Sequence, residues 1–235
     1  MEFFTADTHF GHVSTLIDDH RPFKNIKAYD KYVIKEWNRT AKKGDTIYVI
    51  GDMVSCPSVA GQKDLDWQHG FNYIQRINAR VVLILGNNEE RIIHYFFNDK
   101  FKDFKAYCLE KGIAEVHRNL VVNAYGKKFF LTHQIKDGNP KYINLFGHTH
   151  LCSGLYHPLG LCVSTDLNHF RLYDKDTILG YLGRKKDYWD PDDNTNYINP
   201  FFRLVDGKWI NIKKKGHEAW QKYQKINNFN IDYSE

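Results

Sequence analysis

No apolar run in this chain approaches the length of a membrane span, so nothing in it reads as a transmembrane helix. The four cysteines, Cys56, Cys108, Cys152 and Cys162, include no Cys-x-x-Cys pair. Their spacing gives a zinc site no support, and reduced, mostly buried thiols are expected. Internal repeats and low-complexity tracts are absent, and the first residues show neither a basic leader nor a cleavage site, so cytoplasmic residence with no membrane partner is expected. Charge of neither sign dominates. The formal net charge of +5 is mildly basic, compatible with an anionic substrate but no signature of nucleic-acid binding. What remains is an ordinary soluble composition, with 42% apolar and 26% charged residues over 235 positions, enough for one domain with an extension or two small ones. Aromatic residues make up 15%, and most of them are expected in the core.

The apolar pattern reads as a layered α/β protein. Short strands are expected over 2–6, 46–50 and 80–85, the last a near-continuous apolar run of the kind buried on both faces. Helices are expected over 13–18, 28–41, 65–77 and 101–111, where the apolar spacing is three and four, as at Tyr29, Tyr32, Val33 and Trp37. After Gly112 the period changes. Residues 116–122 and 127–131 read as an antiparallel hairpin across Tyr125-Gly126, followed by strands over 143–146 and 161–164 and a closing helix over 176–182. Beyond Gly183 the chain is polar and turn-rich, with a hairpin signal at Asp206-Gly207. The expected division is a core of 1–182 and a C-terminal extension of 183–235 packed on it.

Five of these strands end in residues that bind metals. They carry Asp7 and His9, then Asp52, Asn87, His133, and finally His148 and His150 in Gly147-His148-Thr149-His150. Functional residues of layered α/β folds gather at the carboxyl ends of strands. The set offers two carboxylates, one carboxamide oxygen and four imidazoles, with no sulfur. That mixture suits Mn, Fe, Zn or Ni better than Ca or Mg. Seven ligands are too many for one tetrahedral ion and about right for two ions sharing a carboxylate. Two ions about 3.5–4 Å apart can turn a bridging water into hydroxide near neutral pH and neutralise a phosphoryl group under attack. The plainer role for these side chains is turn-capping and core hydrogen bonding. Their order and their places at strand ends favour ligands.

The order Asp-x-His, Gly-Asp, Gly-Asn-x-x, His, Gly-His-x-His resembles the calcineurin-like metallophosphoesterase superfamily. The start, Asp7-Thr8-His9-Phe10-Gly11-His12 with Arg21-Pro22-Phe23 and Trp37-Asn38, looks most like its small bacterial and phage members. The resemblance implies a four-layer α/β/β/α sandwich of two mixed β-sheets flanked by helices. It implies two divalent ions, with manganese favoured: Asp7, His9 and His150 on the first, Asn87, His133 and His148 on the second, and Asp52 bridging. The activity implied is phosphoester hydrolysis through a metal-bridging hydroxide.

One position departs from the family pattern. The usual Gly-Asn-His-Asp/Glu is Gly86-Asn87-Asn88-Glu89 here. An amide at Asn88 can hydrogen-bond a leaving oxyanion but cannot protonate it. A phosphodiesterase acting on a nucleotide or nucleic-acid-type substrate is therefore expected, with Asn88, Asp52 and His12 as the catalytic set. The alternatives are a phosphomonoesterase or nucleotide phosphatase using another acid (His12, His20 or His117) and a non-catalytic metal-binding scaffold. His12 either contacts substrate or caps a helix. Arg21 either clamps a phosphate oxygen or forms a surface ion pair. Asp166 and Asn168 either orient a ligand histidine or make a plain turn. The segments 190–194 and 213–215 read as solvated surface.

Overall fold

The computed structural model describes residues 1–19, 21–56, 67–150 and 160–183 in full and 155–156, 202–205 and 208–211 as backbone strands. His20 and the segments 190–194 and 213–215 lie outside the described residues. In chain order the first half comprises β1 (Glu2–Thr5), α1 (Val13–Asp18), α2 (Ile26–Thr40), β2 (Thr46–Ile50), α3 (Trp67–Ile74), β3 (Arg80–Ile84), α4 (Asn87–Phe97), α5 (Phe101–Glu110) and β4 (Ile113–His117). Its four strands lie in the order β1-β2-β3-β4, each parallel to its neighbour. The second sheet holds β5 (Leu120–Ala124), β6 (Lys127–Leu131), β7 (Ile143–Phe146), β8 (Leu155–Tyr156) and β9 (Gly160–Cys162), in the order β5-β6-β7-β9-β8. It is mixed: β6, β7 and β9 run parallel, and β5 and β8 are antiparallel edges. Helix α6 (Lys175–Leu182) follows, and β10 (Phe202–Val205) pairs antiparallel with β11 (Lys208–Asn211). Among the described residues, no helix is long and apolar enough to cross a membrane.

The alternation of side chains along a strand builds the layers. Phe3, Ile47, Val49, Val81 and Leu83 pack with Trp37, Phe71 and Phe104 of the helices. Their neighbours Phe4, Ile50 and Ile84 turn the other way and pack with Phe129, Leu131, Leu145 and Leu161 of the second sheet and Ile178 of α6. The first sheet is therefore buried on both faces, which explains its apolar runs. The sheets join at β1. Phe4 and Tyr173 exchange two backbone hydrogen bonds of 3.0 and 2.8 Å, and the Thr165 N–H donates to the Ala6 carbonyl at 2.9 Å.

Three elements differ from the sequence expectation, the short edge strand β8 among them. The strand expected over 116–122 is two strands: β4 ends at His117 in the first sheet, and β5 starts at Leu120 in the second. Both pieces favour strand conformation, so the pattern hides the crossing at Arg118-Asn119. Helix α4 was not expected. It starts inside the Gly86-Asn87-Asn88-Glu89 motif, where the Gly86 N–H donates to Glu89 Oε2 at 2.8 Å, and it stops at Asn98 in a left-handed conformation (φ 49°).

Asp30 of α2 is wholly buried, with Oδ1 accepting the Gly11 N–H at 3.1 Å. Burial pushes its carboxyl up to about 7, against the Gly11 N–H and the Tyr73 hydroxyl, which favour the charged form. The folded chain then holds a proton between about pH 4 and 7 that the unfolded chain has released, so this residue's contribution to stability is lost as pH rises through that window. Asp30→Asn is expected to gain stability relative to wild type by roughly 2–4 kcal/mol on going from pH 4 to pH 7.5, measured by urea denaturation. Parallel stability curves for the two proteins would contradict this account.

Candidate metal centre

The strand ends of both sheets converge on one place, and the backbone there is unusual. Asp7 (φ 57°), His9 (49°), Asp52 (49°), His148 (72°) and His150 (43°) all have left-handed conformations. Few non-glycine residues adopt them, Asp and His among the more tolerant. Two glycines of the motifs, Gly86 and Gly147, serve close approach instead. A Cβ on Gly86 would lie 2.2 Å from Asp52 Oδ1, and one on Gly147 would lie 2.6 Å from the Ala6 Cβ.

The seven expected ligand residues fall into two groups around Asp52. In the first, His9 Nε2 and His150 Nε2 face each other at 3.3 Å, with Asp7 Oδ1 3.9 Å from His150 Nε2. In the second, Asn87 Oδ1 lies 3.1 Å from His133 Nε2 and 2.8 Å from His148 Nδ1. Asp52 stands between them, with Oδ2 3.8 Å from His9 Nε2 and Oδ1 3.5 Å from His133 Nε2. Asp7, His9 and His150 bring ligand atoms within 4.8 Å of one another, and so do Asp7, Asp52 and His133. Nitrogen and oxygen atoms converging in this way fit divalent cations of the Mn, Fe or Zn type.

The charges point the same way. Burial opposes ionisation of Asp52, yet the His133 and His9 imidazoles hold its carboxyl well below the usual range. Burial opposes a charge on His133, but Asp52 and Asp7 raise it to about 9. His150 is likewise raised well above the usual imidazole value, against burial, by Asp19, Asp7 and Asp166. Burial and the neighbouring His150 keep His9 neutral, with a lone pair to give. This cluster of buried carboxylates requires positive charge, which protons on His133 and His150 supply and which divalent cations would take over.

Second-layer contacts aim the ligands. His133 Nδ1–H donates to the Ile50 carbonyl at 2.9 Å, turning Nε2 toward Asn87. His150 Nδ1–H donates to Asp19 Oδ2 at 2.9 Å, with Asp166 Oδ2 at 3.6 Å. The Glu89 carboxylate accepts the N–H groups of Gly86 (2.8 Å), Asp52 (2.8 Å), Met53 (2.9 Å) and Val54 (3.4 Å). The sequence reading did not find Asp19, whose partner is 131 positions away, and it gave Glu89 no role.

Two nominated residues, Asn88 and Arg21, stand differently from expectation. Asn88 is 7% exposed and faces inward. Its Nδ2 donates to Asp52 Oδ2 at 2.6 Å, its N–H donates to Asp52 Oδ1 at 2.9 Å, and its Oδ1 accepts the Cys56 N–H at 3.0 Å. These bonds make it a holder of the Asp52 carboxylate. Arg21 is 2% exposed and is neither a phosphate clamp nor a surface pair. Its guanidinium donates to both Asp166 oxygens (2.9 Å each) and to the Thr8 and Asp7 carbonyls (2.9 and 2.8 Å). The turn before α1 places His12 beside the first group, its ring 5.4 Å from that of His9 and its Nε2 2.8 Å from Ser14 Oγ; its side chain makes no helix cap. His117 pairs with Glu115 at 2.6 Å, and Asn168 Nδ2 donates to the Arg171 and Leu172 carbonyls, a turn contact. Replacing Glu89 by Gln puts an NH2 where N–H groups now donate. Glu89→Gln is expected to lose about 2 kcal/mol or more in urea denaturation and to weaken manganese binding about tenfold or more in calorimetry. Unchanged values in both would remove the role given to Glu89.

No family model matches the chain. An uncharacterized protein of Methanocaldococcus jannaschii is 27% identical over 100 residues, 43% of this chain and 49% of that protein, so the chain spans about half the length of this curated relative. The solved structure of a protein of unknown function from Aquifex aeolicus matches 77% of this chain and 98% of its own, with a TM-score of 0.50 and 17% identity. A structure described as a novel archaeal phosphodiesterase matches 69% of this chain and 81% of its own, with a TM-score of 0.41 and 18% identity. The chain has two face-to-face sheets flanked by helices, and its strand ends carry Asp-x-His, Gly-Asp, Gly-Asn, His and Gly-His-x-His in that order, the pattern by which it resembles the calcineurin-like metallophosphoesterases.

Proposed function

We propose that this protein is a dinuclear-metal-dependent phosphodiesterase acting on nucleotide or nucleic-acid-type substrates. The observation that carries the reading is the position of Asp52 between two groups of nitrogen and oxygen donors, 3.8 Å from His9 Nε2 and 3.5 Å from His133 Nε2. Two divalent ions, manganese favoured, held by Asp7, His9 and His150 and by Asn87, His133 and His148, would supply charge for the phosphoryl oxygens and an activated water. The chain's own residues keep that site in order. Asn88 fixes the Asp52 carboxylate with two N–H donors, and Asp19 and the Ile50 carbonyl set the rings of His150 and His133.

Asn88 favours diesters with a good leaving group, or substrates whose leaving oxygen is met by another acid. Its amide is committed to Asp52 and Cys56, so it gives a departing alkoxide no proton. Substrates whose leaving group is already acidic lose least. One observation favours a second reading, a phosphomonoesterase or nucleotide phosphatase: the His12 ring stands beside His9 outside the ligand set, where an acid could act.

Manganese-loaded protein is expected to hydrolyse bis-p-nitrophenyl phosphate at least about tenfold faster than p-nitrophenyl phosphate by kcat/KM. Equal or reversed rates, together with loss of the monoester activity in His12→Asn, would establish the second reading instead. Asp52→Ala is expected to lower kcat/KM by about 10³-fold or more, and chelation with EDTA to abolish turnover. A fully active Asp52→Ala protein would remove the two-metal reading.

A further inference from the structure

A cavity of about 460 Å³ opens beside the second group of ligands, with Asn87 and His133 in its wall. Its other walls come from the start of α4, the crossing between β4 and β5, and the segment after β6. The volume lies within the range of small-ligand sites, roughly 300–1,000 Å³, and suits about one nucleotide.

Two guanidinium groups line this cavity. Arg118, in the crossing, pairs with Glu90 of α4 and lies over the Phe101 ring, 5.2 Å from its centroid. Its charge is matched and its position is set from two sides. Arg91 lies one helical turn beyond Asn87, on the same face of α4. Its side chain is exposed, and among the described residues no carboxylate pairs with it. The remaining charged wall residue outside the metal ligands is Asp137, which is exposed and provides an acceptor suited to a sugar hydroxyl. The amides of Asn119 and Gln134 complete a polar lining.

An unmatched guanidinium one turn from a phosphoryl site is suited to a second phosphate, which it can bind bidentately. Arg21, the arginine the sequence put forward for phosphate, is consumed by Asp166 and two carbonyls. We infer that the cavity is a nucleotide subsite: it holds the nucleoside next to the phosphate bound at the ligand cluster, and Arg91 binds that nucleoside's other phosphate. The substrate class is then a phosphodiester bearing a further phosphate one nucleoside away, as in a dinucleotide or a nucleic-acid strand. This inference rests on the phosphoester reading and narrows its substrate.

The test is calorimetric binding of adenosine 3′,5′-bisphosphate and adenosine 5′-monophosphate to the manganese-loaded full chain. Wild type is expected to bind the bisphosphate about tenfold tighter or more, and Arg91→Gln to bring the two affinities together. Arg39→Gln removes one positive charge from an exposed pair with Glu36 elsewhere on the surface and is expected to keep the preference. Equal binding by wild type, a preference retained in Arg91→Gln, or a preference lost equally in Arg39→Gln would each overturn the subsite. If bis-p-nitrophenyl phosphate is not hydrolysed while the Arg91-dependent preference persists, the diesterase reading fails and the subsite stands.

Discussion

The spacing of the candidate metal centre depends on one buried carboxylate. Glu89 receives N–H groups from the loop after β2 and from the turn that opens α4. It thereby ties Asp52, which stands between the two donor groups, to Asn87, the first residue of that helix. Burial and the nearby Asp52 push its carboxyl up to about 7, against the Gly86 and Asp52 N–H groups. A buried cation performs the matching task on the other side. Arg21 joins the Asp7 and Thr8 carbonyls to Asp166, which follows β9, and Tyr29 packs under the guanidinium at 4.7 Å while its hydroxyl donates to the Thr8 carbonyl at 2.6 Å. Buried ions of this kind are costly to strip of a partner, so each holds its loops firmly.

That holding is needed because the ligand backbone resists its own shape. A left-handed conformation costs a residue with a side chain on the order of 1–2 kcal/mol, and five of the seven ligand residues adopt one. In isolation these loops would relax and turn the ligands away from one another. Here the sheets beneath are packed on both faces, and Glu89 and Arg21 fix the loops above. The cost is thus borne by the core, and the donors are held close together by the structure around them.

Residue type and position at strand ends were legible in the sequence, because an Asp, Asn or His just past an apolar run shows in one dimension. The individual strands were legible for the same reason, by their apolar runs and period-two alternation, whereas the two-sheet plan was an expectation carried by the resemblance of the ordered motifs. What a side chain faces was not legible. Asn88 reads as an amide beside the site, but only the packing of Cys56 and Asp52 around it turns the amide inward. Arg21 and Asp166 are 145 positions apart, and no local pattern announces that they meet. Helix α4 was missed because its first turn is the ligand motif itself, and the β4–β5 crossing because two strand-forming pieces adjoin without a glycine or proline between them.

The joint at β1 has a consequence for how the protein is made. Asp7 and His148, like His9 and His150, are separated by 141 positions, and β1 is held on its second side by Tyr173 and Thr165. The early ligands are therefore synthesised long before their counterparts. A growing chain on the ribosome can form helices and pair β1 with β2, but it cannot gather the first group of donors until β7 and the strand-end turn after it have emerged. Under the proposed function, metal capture would in this sense be a late event, and tight binding would report that the two halves of the core have found each other.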